Sequence, residues 1–317
     1  MTVVCALLLG GTLFVSGLVD PFVHRGTRAC VDPGPTLSDL RAYEHTMHRR
    51  VTCVELFDNT AATWSQWADP WLITERNPDE NWTAYARSGH RIVLTVDMFP
   101  SALDHANWRP AGANGAYTGH ARLLARNLVR AGMGSAIIRL GHEANGTWYA
   151  DNVGTTPTQE REWRLFWART VRAMRSVRGA HFSFDWCVAA GVRPISLAAY
   201  YPGDDVVDSI GIDVYDNGVP AGVHDRWRWL YDRPAGVGAI VRFARRHHKP
   251  LAVPEWGLQP RSVAGGGGAD PSFVRGIARL IARQDVSFEA YFFRQGGRSA
   301  LLADRAGMRI YRREILG

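Results

Sequence analysis

Residues 136–149 read Ala-Ile-Ile-Arg-Leu-Gly-His-Glu-Ala-Asn-Gly-Thr-Trp-Tyr. A short β-branched run, Ala136–Leu140, breaks off into a polar cluster, and an amphipathic pattern follows over Gln159–Val177. That succession is what a buried parallel strand and its crossover helix look like in a sequence. Working outward, similar short runs occupy Arg28–Val31, Val51–Phe57, Arg91–Phe99, Phe182–Val188, Ser209–Val214, Leu251–Pro254 and Phe288–Phe293. Helical patterns lie between them, over Gly119–Ala131, Val237–His248 and Pro271–Gln284 among others. Eight strands alternating with helices predict an α/β chain folded as a single (β/α)8 TIM barrel, spanning residues 21–317. A doubly wound sheet is the structural alternative. The sequence shows no internal repeat, linker or appended module.

Composition narrows the function. Hydrophobic residues make up 46% and charged residues 21%, so the chain can bury a large core. Twelve tryptophans serve either as core or as flat faces for sugar rings. The net charge of +7 comes almost wholly from arginine, Lys249 being the only lysine, and the arginines are scattered. No nucleic-acid motif accompanies them, so no nucleic-acid partner is expected. From Val3 to Val19 the chain is apolar or small, with no charge before Asp20. Residues 1–20 therefore read as a hydrophobic leader, either a signal peptide or an anchor, and place the protein outside the cell or at its envelope. A buried N-terminal element is the alternative, and the usual positive n-region is missing.

The four cysteines show no metal spacing. In an oxidising compartment Cys30 and Cys53 can pair across the first barrel unit. His247-His248 has no third ligand in view, so no metal is expected. Gly265–Gly268 lacks the ending of a phosphate loop and reads as a flexible active-site loop. With no Gly-x-Ser-x-Gly elbow and no GxGxxG after a strand, serine-hydrolase and dinucleotide chemistry find no support, and no cofactor is expected.

In a barrel the site lies where the strands end at their C-terminal side. The fourth strand runs into Glu143, the seventh into Pro254-Glu255-Trp256-Gly257, and the sixth ends in Asp213-Val214-Tyr215-Asp216. Two glutamates distant in sequence thus meet over one mouth. Glycoside hydrolysis needs such a pair, one protonated and one ionised. Arg139 and Tyr215 can hold one carboxylate ionised by charge and hydrogen bonding. Each residue also has a plainer reading. A glutamate after a strand can cap a helix or pair with an arginine, Arg139 can form a structural ion pair, and His142, Trp186 and Tyr215 can be core.

Arg-x-x-His-Glu-x-Asn-Gly-x-Trp, over Arg139–Trp148, is similar to the acid/base segment of glycoside hydrolase family 26, which includes β-mannanases and β-glucanases. His90–Pro100, Asp208–Asp216 and Pro250–Gly257 follow in the expected order, so the resemblance covers roughly Thr27 to Gln295. It implies Glu143 as acid/base, Glu255 as nucleophile, and His142 contacting the sugar or orienting the nucleophile. It further implies Tyr215 bonding Glu255, Trp148 stacking on a sugar and Trp186 as a second platform. The chain departs from the family at two places. Strand eight ends Tyr-Phe-Phe-Arg-Gln, where a tryptophan platform is common, leaving Phe293, Arg294 or Gln295 to line that wall. Asp97 stands at strand three where mannanases carry an aromatic or histidine. The expected function is a monomeric, retaining, endo-β-1,4-mannanase-like enzyme acting on β-linked polysaccharide. An endo-β-1,3/1,4-glucanase and a catalytically silent polysaccharide-binding barrel are the rivals.

Overall fold

The computed structural model describes residues 27–316, apart from 35, 59–60, 75–81, 101–102, 104–105, 193–195 and 294–300. The expected leader and Cys5 lie outside the described residues. Eight strands form the barrel: β1 (Arg28–Asp32), β2 (Cys53–Asp58), β3 (Arg91–Val96), β4 (Ile137–Leu140), β5 (Ser183–Ala189), β6 (Ser209–Asp216), β7 (Leu251–Leu258) and β8 (Val286–Phe292). They pair in sequence order, all parallel, and close through β1 and β8. The chain is a (β/α)8 barrel, as the alternation of runs and helical patterns predicts.

Strand parity divides inside from outside. A lower interior layer holds Cys30, Cys53, Val93, Ile137, Ala252, Phe288 and Ala290. Cys30 and Cys53 are joined there by a disulfide, one step below the Val31–Val54 backbone pairing that is the register between β1 and β2. Two residues further along the strands the interior turns polar, with buried Asp32, Glu55, Thr95, Arg139 and Asp185. The residues between face the helices. Trp256 on β7 is buried against Phe273, Tyr291 and Tyr311, and Trp186 on β5 against Tyr200, Tyr201 and Phe243.

The helix Pro157–Arg175 shows how the shell positions the mouth. Thr156 caps it in a capping box with Gln159, and proline occupies the first turn. Its buried face carries Trp163, Phe166, Trp167 and Met174. The Trp167 indole donates to the Leu140 carbonyl at 2.9 Å, and that of Trp163 to the Asp151 carbonyl at 2.9 Å. Removing either ring would cost about 3–5 kcal/mol from the cavity left behind. Both rings therefore anchor the end of β4 to the helix that follows it.

Candidate active site

β4 delivers its motif through a backbone that only certain residues allow. Gly141 has φ 58°, and a Cβ there would lie 2.6 Å from Met98 Cγ. Glu143 itself holds φ 49°, a sparsely populated conformation that the surrounding loop maintains. Asn145 clamps that loop to β5, donating to the Ala189 carbonyl at 2.8 Å and accepting from the Ala189 amide at 3.0 Å. Gly146 leaves room for the Trp148 ring, since a Cβ would stand 2.5 Å from it. Trp148 is 51% exposed, and its indole donates to Glu143 Oε2 at 2.7 Å.

Glu255 reaches the same mouth from β7, inside the strand rather than after it. The pairing of β7 shifts register on both sides around Pro254 and Glu255. Proline supplies no ladder donor, and the irregularity re-aims the next side chain. Glu255 Oε1 accepts from Arg139 Nη1 at 3.0 Å and Oε2 from the Tyr215 hydroxyl at 2.8 Å. One carboxylate oxygen each from Glu143, Asp213 and Glu255 lie within 4.8 Å of one another.

The two glutamates titrate apart. Burial raises the Glu143 carboxyl to about 7, and the nearby Glu255 adds to the effect. Burial also acts to raise Glu255, but the Arg139 charge and the Tyr215 hydrogen bond outweigh it, so Glu255 sits below the ordinary carboxylate value. The pair thus offers one acid and one anion over the same gap, as general acid and nucleophile require.

Arg139 is fully buried, with bonds to Glu55, Thr95, Glu255, Cys187 and Asp213. His142 is buried beside Tyr149 and Phe57, with ring centroids 4.5 and 6.1 Å apart. Burial and Arg139 hold its imidazole down at about 3, so it is neutral. Neither of its nitrogens has a hydrogen-bond partner among the described residues.

Arg139, His142, Glu143, Trp148, Tyr215 and Glu255 therefore converge. Two other candidates behave differently. Trp186 is 1% exposed and packed into the helix layer, so it offers no face to a sugar. Parity explains this correction, because its neighbours Asp185 and Cys187 take the inward positions. Asp97 lies half-buried at the top of β3, two residues beyond the inward Thr95. Burial raises its carboxyl, and Asp151 and Asp58 add to the effect.

The strand-eight wall is also revised. Phe293 is buried against Tyr43, while Arg294 and Gln295 lie outside the described residues. The residue facing the mouth is Phe292, edge-on to Phe57 at 6.0 Å and to Tyr215 at 5.9 Å. The glycine segment is held rather than loose. The Ala264 and Gly265 carbonyls accept from Gly218 N and Arg226 Nη2, and Gly267 and Gly268 donate to the Asp216 and Gln259 carbonyls. A Cβ on Gly267 would fall 1.8 Å from Asp216 Oδ2, which is why glycine is required there. Sequence reading missed Glu55, Phe57, Thr95, Cys187 and Phe292. A glutamate inside the apolar run Val51–Phe57 was the available signal, since a buried charge needs a partner.

The model of glycosyl hydrolase family 26 matches residues 69–234, just over half of the chain. The chain belongs to glycoside hydrolase family 26. It is a glycoside hydrolase. The match takes in Arg139–Trp148 and Tyr215 and ends before Glu255, which joins the site through the geometry above. Solved structures of the same fold include a Cellulomonas fimi endo-beta-1,4-mannanase double mutant, at TM-score 0.63 and 16% identity over 89% of this chain and 70% of that one. Bacillus subtilis mannanase man26 matches with TM-score 0.63 and 12% identity, over 93% and 87%. A family 26 β-mannanase from Bacteroides ovatus matches with TM-score 0.56 and 13% identity, over 87% and 83%.

Proposed function

We propose that this family 26 enzyme is a retaining endo-β-1,4-mannanase that works by double displacement. The observation that carries the reading is the carboxyl pair: Glu143 and Glu255 bring oxygens within 4.8 Å, one raised to about 7 and the other lowered. Retaining enzymes hold their carboxyls about 5–5.5 Å apart, whereas inverting ones need about 6.5–9.5 Å to admit a water. Glu255, ionised by Arg139 and Tyr215, attacks the anomeric carbon as Glu143 passes its proton to the departing oxygen. Glu143 then takes a proton from the water that hydrolyses the glycosyl ester. Trp148 both tunes Glu143 and presents an exposed ring for the sugar. The mannanase structures that share the fold support β-mannan as substrate. Export to an oxidising compartment, at the cell envelope or beyond it, is supported by the Cys30–Cys53 disulfide.

The test is product analysis on β-mannan, mixed-linkage β-glucan and xylan, with Glu143→Gln and Glu255→Gln alongside. Mannan oligosaccharides that fall by about 10²–10⁴-fold in both variants are the expected result. Cleavage of glucan alone would replace the substrate, and binding without shortening would leave a silent barrel.

A further inference from the structure

One guanidinium, bonded to the nucleophile, is shared by three buried carboxyl groups. Arg139 Nη1 contacts Glu55 Oε1 and reaches Glu255 Oε1 at 3.0 Å, while Nη2 reaches Asp213 Oδ2 at 2.7 Å. Glu55 and Asp213 side chains are wholly inaccessible to solvent. Thr95 stands between the partners, accepting from Arg139 Nη1 at 3.0 Å and lying 3.5 Å from Glu55 Oε1. Glu55 comes from β2 and shares Arg139 Nη1 with Glu255. Its link to the nucleophile runs through that shared guanidinium nitrogen.

One positive charge cannot balance three buried anions. Glu255 makes two hydrogen bonds, to Arg139 and Tyr215, and is the group the chemistry needs as an anion. Glu55 has one oxygen on Arg139, and its Oε2 has no partner among the described residues. A carboxylate with an unpartnered oxygen, buried from solvent, is the costly form of that group. The other charged or titratable groups facing it are Asp32 on β1, Arg139 on β4 and Glu255 on β7, and two of these three are acids.

We propose that Glu55 is a positioning residue for the nucleophile, an undissociated carboxylic acid that braces Arg139 against Glu255. As a neutral acceptor it fixes the guanidinium without drawing its charge away from Glu255. Burial, ahead of the other acids, raises the Glu55 carboxyl and agrees with this assignment. The proposal rests on the reading of Glu255 as nucleophile.

The experiment compares wild type, Glu55→Gln and Glu55→Ala on the glycan that the wild type cleaves, with kcat, KM and the pH profile measured for each. Glu55→Ala lets Arg139 drift from Glu255. It should lower kcat by about 10- to 100-fold, leave KM within about threefold, and move the acidic limb to higher pH, a loss on the scale of one hydrogen bond to a charged group. Glu55→Gln, neutral and of nearly the same shape, should recover most of the rate and the original limb. Two results overturn the proposal. One is an alanine variant with wild-type kcat and pH profile. The other is a glutamine variant whose acidic limb moves to lower pH, because that shows Glu55 to be an anion competing for Arg139.

If Glu55→Ala does not fold, Thr95→Val should show the same direction of limb shift with a smaller loss, and no shift in it sinks the idea. If the wild type cleaves no glycan, the functional reading fails separately. Carboxyl carbon-13 NMR titration then decides the Glu55 question without a substrate. A Glu55 signal that stays protonated at pH 6, with the Glu255 titration unchanged by Glu55→Gln, sustains the proposal, and an ionised Glu55 ends it.

Discussion

Tyr215 and Trp148 each give a single hydrogen bond to one of the catalytic pair, so each can be removed without touching a carboxyl. Tyr215→Phe deletes the hydroxyl that donates to Glu255 Oε2. Hydrogen bonds to charged groups contribute about 1.5–3 kcal/mol, so kcat should fall by roughly 10- to 100-fold. That bond lowers the Glu255 carboxyl, so its loss should raise the acidic limb of the pH profile. An unmoved limb would mean that Tyr215 only packs. Trp148→Phe keeps a ring for the sugar but deletes the indole donor, which now lowers Glu143 from the still higher value that burial alone would give. The basic limb, set near 7 in the wild type, should therefore move up, and a downward shift would contradict the assigned acid. Glu143 and Glu255 were legible in the sequence because each follows an apolar run into a polar cluster. Trp186 misled because a tryptophan within an apolar run says nothing of which face it takes, and alternation with its neighbours Asp185 and Cys187 decides that. Phe292 was hidden by an adjacent Phe293 of identical type but opposite face.

Among the strands, the join between β1 and β2 has the fewest registered backbone pairs, Val31 with Val54 alone, against six between β2 and β3. The disulfide sits directly below that pair and ties the two strands where the ladder does little. It closes a loop of sequence separation 23, for which the chain-entropy scaling gives about 3 kcal/mol. The double variant Cys30→Ala/Cys53→Ala should lose about that much in urea unfolding, and an unchanged midpoint would assign the closure of the barrel to packing alone. The strands were legible as elements because buried parallel strands are short, β-branched and regularly spaced. The ends of β6 and β7 were not. Periodicity places Pro254 at a boundary, whereas the bulge lets β7 run on to Leu258 and carry Glu255 within it.

Among the described residues the molecule buries more acids than bases, and this gives its stability an unusual pH dependence. Burial raises Asp58 and Asp185 to about 7, Asp151 to about 6 and Glu289 to about 8. Each accepts few bonds: Asp185 takes one from Ser209 at 2.5 Å, and Glu289 one from the Trp256 indole at 2.5 Å, with Glu289 Oε1 unpartnered among the described residues. In the unfolded chain the same groups lose their protons near pH 4. Between that pH and their folded values the native state therefore binds more protons than the unfolded one, and stability falls as pH rises. The protection they give is full below about pH 4 and is lost through pH 6 to 8. Urea midpoints should consequently drop between pH 5 and pH 8, the reverse of a protein whose acids are paired with bases. Glu289→Gln keeps an acceptor for Trp256 but cannot ionise. Whatever its stability at pH 5, its midpoint should fall less steeply toward pH 8 than that of the wild type. Equal slopes for the two proteins would show that Glu289 is already ionised in the fold. Burial, with Glu255 nearby, likewise keeps Glu143 protonated up to about 7, so the window in which the barrel is most stable overlaps the one in which its acid catalyst carries a proton.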